Sequence, residues 1–307
     1  MAIPRKDFIT LSGMAGLGFL AFPALTSYSE NTGIRERSIP VSGEKLPIVG
    51  LGTWQTFDIG NSPDELEIRQ ELLAKMNQYG GRVIDSSPMY GSSEAIVGRA
   101  ASQLQTRDAF FYATKVWTTG KQEGMAQMNA SLGKMQRKTM DLMQIHNLVD
   151  WQTHVKTLRA WKGQGKIRYW GITHYVDSAH ATLEKIIRKE KPDFAQFNYS
   201  INSRHAEKSL FGICQENRTA VIINQPYDSG FLFRQVKGKK LPAWAADYDI
   251  KSWGQYFLKF ILSQEAVTCA IPGTSKPKHV IDNMGAGYGK LPDDIGREKM
   301  ATYLKSL

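Results

Sequence analysis

The sequence predicts an α/β fold: a (β/α)8 TIM barrel with an N-terminal β-hairpin and a long loop after the seventh strand. Three observations carry this expectation. Short apolar runs alternate strictly with longer amphipathic segments, eight of each. Such alternation implies parallel strands joined by helical crossovers, and eight units in roughly 250 residues match a closed barrel. Finally, the first run leads into GLGTWQTF, where no helix opens at once. An open doubly wound sheet, the alternative, normally carries a G-x-G-x-x-G turn there.

Ile39–Leu46 (IPVSGEKL) reads as the hairpin, turning at Ser42–Gly43. Ile48–Leu51 is the first barrel strand and Pro63–Tyr79 its helix. Arg82–Asp85 is followed by Ser93–Gln103, Phe110–Thr114 by Gln122–Gln136, and Met140–Ile145 by Trp151–Lys162. The unit then repeats: Ile167–Ile172 with Ser178–Lys189, Phe194–Phe197 with Arg204–Glu216, Ala220–Ile223 with Ser252–Ser263, and Val267–Ile271 with Lys276–Met284. One connection is unusual. Asn224–Lys251 is a loop of the length that tends to be functional or mobile. The barrel domain is expected over residues 36–307.

The chain has 307 residues, 42% hydrophobic and 22% charged, enough to bury a full core. Its net charge is +10, but the basic residues are scattered. The densest cluster, KGKK at Lys237–Lys240, has no recognition motif beside it, so a basic surface is expected rather than a nucleic-acid site. Cys214 and Cys269 lie in apolar segments without metal-ligand spacing and read as buried thiols. The six histidines include no H-x-H or H-E-x-x-H pair at a strand end, so no metal site is expected and a metal-dependent hydrolase is disfavoured.

Residues 1–29 read as a leader. Arg5 and Lys6 precede a mostly apolar stretch from Phe8 to Leu25 with three glycines, the layout of a secretory signal. RKDFI resembles the twin-arginine export motif with Lys6 in the second arginine's place. A periplasmic or exported protein is expected, in contact with export machinery, and a cytoplasmic one if the leader does not function. The alternatives are an uncleaved leader as membrane anchor and an N-terminal core helix.

In a barrel the active site lies at the C-terminal ends of the strands. The second strand ends at Asp85, with Tyr90 just beyond it; the third ends at Lys115 and the fourth at His146. Tyrosine titrates near ~10 and is a poor proton donor or acceptor at neutral pH. Lowering that value by ~3 units takes about 4 kcal/mol, which one cation at ~4 Å supplies at an effective dielectric near 20. Asp85 would hold Lys115 protonated beside Tyr90, and His146 would orient a substrate oxygen. The set points to general acid–base chemistry at a C=O or CH–OH group. Singly, each residue could instead be a cap, a packed aromatic, a surface cation or a satisfied barrel histidine.

The chain resembles the aldo-keto reductases over nearly its whole length after residue 29. The matching pieces are GLGTW at Gly50–Trp54, D-x-S-x-x-YG at Asp85–Gly91, the lysine of ATKVW, DLMQIH, GIT after the fifth strand, AQFNYS, and IPGTSKPKHVIDN. The resemblance implies a tetrad of Asp85, Tyr90, Lys115 and His146, with Tyr90 the proton donor to a carbonyl of an aldehyde, ketone or sugar. It implies NADPH as cofactor, with NADH as the alternative. Gly52, Thr53 and Trp54 would meet the dinucleotide, Gln196 its carboxamide, and Trp54 and Trp117 would line the substrate pocket. A nicotinamide-binding sensor or partner protein with little turnover is the alternative on the same scaffold. Because twin-arginine export moves folded proteins, an exported member would carry its cofactor out bound.

The cofactor side departs from the family pattern. Thr173 and His174 stand where Ser-Asn usually grips the carboxamide, and Asn224 where a tyrosine often stacks on the ring. Asn224 can bond the ring's edge but cannot stack comparably. Gly273 replaces a common lysine and His279 a common arginine, which removes a bidentate phosphate grip. Lys276 and Lys278 would compensate electrostatically, and the start of the eighth helix can receive an anion; Thr274 is expected beside them on the cofactor, and Asp282 and Asn283 fit the pattern for contacts with adenine. Phe231, Phe233, Trp244 and Tyr248 in the long loop either shape the pocket, in place of a longer C-terminal tail, or pack among themselves.

Overall fold

The computed structural model describes residues 33–307; the leader expected at residues 1–29 lies outside them. Two short strands, β1 (Glu36–Ser38) and β2 (Lys45–Pro47), form an antiparallel hairpin. The turn is wider than Ser42–Gly43 alone: the amides of Ile39 and Gly43 close it by donating to Glu44 O and Ile39 O. Eight strands then form the barrel: β3 (Leu51–Gly52), β4 (Val83–Asp85), β5 (Phe111–Val116), β6 (Met140–His146), β7 (Ile167–Thr173), β8 (Phe194–Asn198), β9 (Ala220–Asn224) and β10 (Val267–Ala270). All neighbours pair in parallel in chain order. The ring closes through two isolated bridges, Val49 with Ala270 and Gly52 with Gly273. Glycine is required at this seam: a Cβ on Gly52 would lie 2.9 Å from Ile271 O.

The helices cover the outside: α1 (Pro63–Gln78), α2 (Ser93–Ser102), α3 (Lys121–Lys134), α4 (Trp151–Gly163), α5 (His180–Glu190), α6 (Leu210–Glu216), α7 (Phe231–Gln235), α8 (Trp253–Leu262), α9 (Pro277–Gly285) and α10 (Asp294–Lys305). Ser62, Ser252 and Asp293 cap α1, α8 and α10 by accepting backbone amides. The helix expected over Arg204–Glu216 is broken. A 3-10 turn (His205–Lys208) precedes α6, because Ser209 leaves the helical region with φ −157° and ψ −34°. A similar turn, Asp177–Ala179, delays α5. Two helices lie beyond the sequence expectation. α7 lies inside the long loop, and α10 buries Met300, Ala301 and Leu304 and packs Tyr303 against the core while Ile295 stays exposed.

Two apolar clusters follow from strand alternation. One lies between strands and helices. The other fills the barrel's N-terminal half, where Phe111, Tyr169 and Phe194 meet ring to ring at 5.5–6.1 Å. Ile39 and Leu46 of the hairpin belong to this inner cluster, so β1–β2 plugs that end. Among the described residues no helix is long and apolar enough to cross a membrane, and no group of potential metal ligands assembles. Cys214 and Cys269 are buried free thiols, their pKa raised by burial.

Candidate active site

The inward positions that are aromatic at the N-terminal end of the barrel become polar near its other end. On β5 the inward series passes from Phe111 through Ala113 to Lys115, and on β6 from Leu142 through Gln144 to His146. On β8 it passes from Phe194 to Gln196. Period-two alternation therefore delivers Asp85, Lys115, Gln144, His146 and Gln196 to one layer. Tyr90 joins them from the turn after β4, where its amide donates to Ser87 O.

Lys115 is fully buried at the centre. Its Nζ donates to Asp85 Oδ2 at 2.6 Å and to Ser86 O at 2.7 Å, and lies 4.8 Å from the centroid of the Tyr90 ring. Asp85 Oδ1 accepts from Gln144 Nε2 at 3.0 Å and Gln196 Nε2 at 2.9 Å. The carboxylate is thus held by one cation and two amides, which a buried charge needs to persist. Burial alone would lower the Lys115 pKa, but the Asp85 carboxylate outweighs it, with Tyr90 adding to the rise once ionised, and the pKa lies above the ordinary value.

Tyr90 corrects one expectation. Burial raises its pKa, and the lowering by Lys115 does not overcome that, partly because Asp85 pushes upward too. The protein at rest therefore holds a neutral phenol that retains its proton. His146 is pushed down to about 2 by burial, then by Lys115 and His174, so its imidazole is neutral at pH 7. Its Nδ1 lies 2.9 Å from Ser87 Oγ, and its ring meets Tyr90 edge to face at 5.7 Å.

A cavity of about 680 Å³ opens over this layer, within the range of small-molecule sites. Asp85, Tyr90, His146, Gly52, Thr53, Trp54, Thr173, Gln196, Asn224 and Gly273 all line it. Thr53 Oγ1 bonds Asp85 O and Ser86 Oγ beneath the wall. Thr173 Oγ1 donates to Gln196 Oε1 at 3.0 Å. Asn224 Nδ2 donates to His174 O at 3.0 Å, which leaves Asn224 Oδ1 shielded and without a partner among the described residues. An amide-bearing group in the cavity would supply the missing donor, so these residues fit a nicotinamide carboxamide.

Other expected residues stand off the wall. Trp117 sits behind His146 at 6.5 Å between rings. His174 stacks on Tyr175, and its Nδ1 accepts that residue's amide. Asp282 accepts from Ser252 and Gln255, and Asn283 accepts from Tyr227, so both tie α9 to its neighbours. Thr274 Oγ1 accepts the Lys276 amide and lies 3.4 Å from His279 Nδ1. The pKa of His279 is lowered by burial and by the charges of Lys276 and Lys278. Exposed Lys276 and Lys278 at the start of α9 are its available cations. The long loop divides: Phe233 lines the cavity, whereas Trp244 packs on Tyr256 and Tyr303. Sequence reasoning passes over Ser87 and Gln144, although both lie inside the motifs D-x-S-x-x-YG and DLMQIH.

A closed parallel barrel with a lysine, carboxylate and phenol at the C-terminal ends of its strands defines an enzyme of the barrel oxidoreductase type. The chain belongs to the aldo/keto reductase family, whose model matches residues 48–297. It is 27% identical to methylglyoxal reductase YeaE of Escherichia coli (strain K12), covering 81% of this chain and 89% of that protein. It is 25% identical to aldo-keto reductase yakc [NADP(+)] of Schizosaccharomyces pombe, covering 85% and 90%. Among solved structures, an aldo-keto reductase from Klebsiella pneumoniae in complex with NADPH superposes with a TM-score of 0.72 at 21% identity, covering 85% of this chain and 92% of that one.

Proposed function

We propose that the protein is an NADPH-dependent carbonyl reductase in which Tyr90 acts as general acid, with NADH as the alternative cofactor. The observation that carries the reading is Lys115, buried between Asp85 and the Tyr90 ring in the layer beneath the cavity. The dinucleotide, when bound, supplies the reducing equivalent. The protein's own residues handle the proton. Neutral Tyr90 donates it to the carbonyl oxygen as charge builds there, Lys115 stabilises the phenolate left behind, and Asp85 keeps Lys115 charged and aimed. His146 orients the carbonyl. Thr173, Gln196 and Asn224 hold the carboxamide edge, with Gly52, Thr53, Trp54 and Gly273 along the wall. Thr274, Lys276, His279, Asp282 and Asn283 shape the end that takes the phosphate and adenine. The relatives named for NADPH and NADP(+) support this choice.

Relatives named methylglyoxal reductase and D-arabinose 1-dehydrogenase support aldehydes, ketones and sugars as the substrate class. Six of the eight exposed large apolar residues among those described lie on loops at the C-terminal ends of barrel strands: Trp54, Met89, Trp117, Tyr175, Phe231 and Phe233. That rim favours a carbonyl carrying an apolar body over a free sugar. A panel of alkyl aldehydes, aryl ketones, methylglyoxal and sugars, run with each dinucleotide, tests the reading. Turnover that survives Tyr90→Phe would overturn it. Dinucleotide binding without turnover on any of them would favour the sensor reading. We further propose export through residues 1–29, supported by the RKDFI leader; cell fractionation that finds the protein only in the cytoplasm would refute it.

A further inference from the structure

We propose that Ser87 is a positioning residue that fixes the His146 imidazole with its proton on Nε2, facing the substrate. A neutral imidazole has two tautomers, and only the one protonated on Nε2 can donate from that nitrogen. The other would present a lone pair to the carbonyl oxygen it is meant to orient.

The hydrogen bonds around Ser87 select between them. Ser87 is fully buried. Its Oγ already accepts the Met89 amide at 3.3 Å. The hydroxyl hydrogen needs an acceptor of its own, because a buried polar hydrogen left unpaired costs about 1–3 kcal/mol. Among the described residues the one acceptor in reach is His146 Nδ1 at 2.9 Å. The hydroxyl therefore donates to Nδ1, and the imidazole proton resides on Nε2. That atom has no protein partner among the described residues, and His146 lines the cavity. The chain sets up this pair by local geometry. Ser87 lies two residues beyond Asp85, the last residue of β4, and His146 ends β6. One turn thus supplies both the phenol of Tyr90 and the group that orients His146.

The consequence for the substrate rests on the reductase reading; the tautomer does not. The test uses the full chain with 15N-labelled histidine and two-bond proton–nitrogen correlation at neutral pH. In the wild-type protein His146 is expected to show an unprotonated, hydrogen-bonded Nδ1 and a protonated Nε2. Ser87→Ala is expected to mix the tautomers and to lower kcat for a carbonyl substrate by about ten- to hundredfold, the size found where a metal-bound histidine loses the partner that orients it. Dinucleotide affinity, read by tryptophan fluorescence, should stay within about twofold, since Ser87 is not on the cofactor side. Ser87→Thr keeps the hydroxyl and should restore the wild-type tautomer.

A wild-type proton on Nδ1 overturns the inference, as does an Ala variant with unchanged tautomer or unchanged kcat. Loss of dinucleotide affinity in step with kcat would mark a purely structural role and also overturn it. If Ser87→Ala does not fold, the wild-type spectrum alone decides. Absence of turnover on every carbonyl would defeat the reductase reading and leave the tautomer assignment standing.

Discussion

The two ends of the barrel follow opposite rules although the same eight strands build both. At the N-terminal end, Phe111, Tyr169 and Phe194 pack under a hairpin plug. At the C-terminal end the same inward positions carry Lys115, Gln144, His146 and Gln196, in a network satisfied mainly by its own members. The loops there also hold backbone that non-glycine residues seldom adopt. Gln55, Asn147, Leu148, Asp150, Gln225, Asp228, Ser229 and Asp249 have positive φ there, against Gln136, Lys191 and Arg218 in the loops at the other end. One end is built for packing and the other for chemistry, so substitutions at the two should separate stability from turnover.

The largest separation is expected for Tyr90→Phe. Loss of the general acid should lower kcat by about 10²- to 10⁴-fold, while urea denaturation moves little because the ring remains. The pH profile sharpens this. The raised Tyr90 pKa keeps the donor protonated through neutral pH, so carbonyl reduction should hold level there and decline only above the ordinary tyrosine range. A decline beginning near neutral pH would show that the phenol is acidified instead.

Phe194→Ala should do the reverse. Removing a fully buried ring from the plugged end should destabilise by about 3–5 kcal/mol, with KM and kcat of the folded fraction unchanged. A KM shift comparable to the stability loss would break the division between ends.

Much of this division is legible in the residues, and its blind spots have physical causes. Apolar runs locate seven barrel strands closely, whereas the first, expected at Ile48–Leu51, shares only Leu51 with β3, and the expected spans Phe110–Thr114, Ile167–Ile172 and Ala220–Ile223 stop short of Lys115, Thr173 and Asn224. The apolar pattern ends where inward side chains turn polar, so the functional layer truncates the signal used to find the strand. Asp85, Tyr90, Lys115 and His146 stand out because three of them carry or can carry charge at strand tips. Ser87 and Gln144 do not, being neutral and polar beside louder neighbours. The Tyr90 shift runs opposite to the expected direction because burial, which decides it, is not written in spacing. α10 escapes because its first half, DIGREK, offers a single apolar side chain, Ile295, and that one is exposed.

His146 makes the stability of the C-terminal end depend on pH. Its pKa is depressed in the folded protein to about 2, against about 6.5 unfolded. The unfolded chain then binds the extra proton between those values. Stability from this group is complete above about pH 6.5 and is lost as pH falls toward about 2. Denaturant midpoints measured across that window should fall for the wild type and fall less for His146→Asn.

The smallest effect is expected at the plug's rim. The Tyr169 hydroxyl lies 2.8 Å from Ser42 Oγ and from Glu44 Oε2. Tyr169→Phe should cost about 1 kcal/mol and leave turnover untouched, as calorimetry and initial rates would show.

The seam between β3 and β10 has a consequence for breathing motions. Every other pair of staves is joined by a ladder, whereas this pair meets at two bridges. The amides of Gly50 and Ala270 should therefore trade hydrogen for deuterium ahead of those in β5 and β6. The fault line runs beside Gly52, Thr53 and Trp54 on the cavity wall, and a ligand bridging it to Gly273 would act as a clasp. Slower deuterium uptake along that line when a dinucleotide is added would register the barrel being fastened by what it binds.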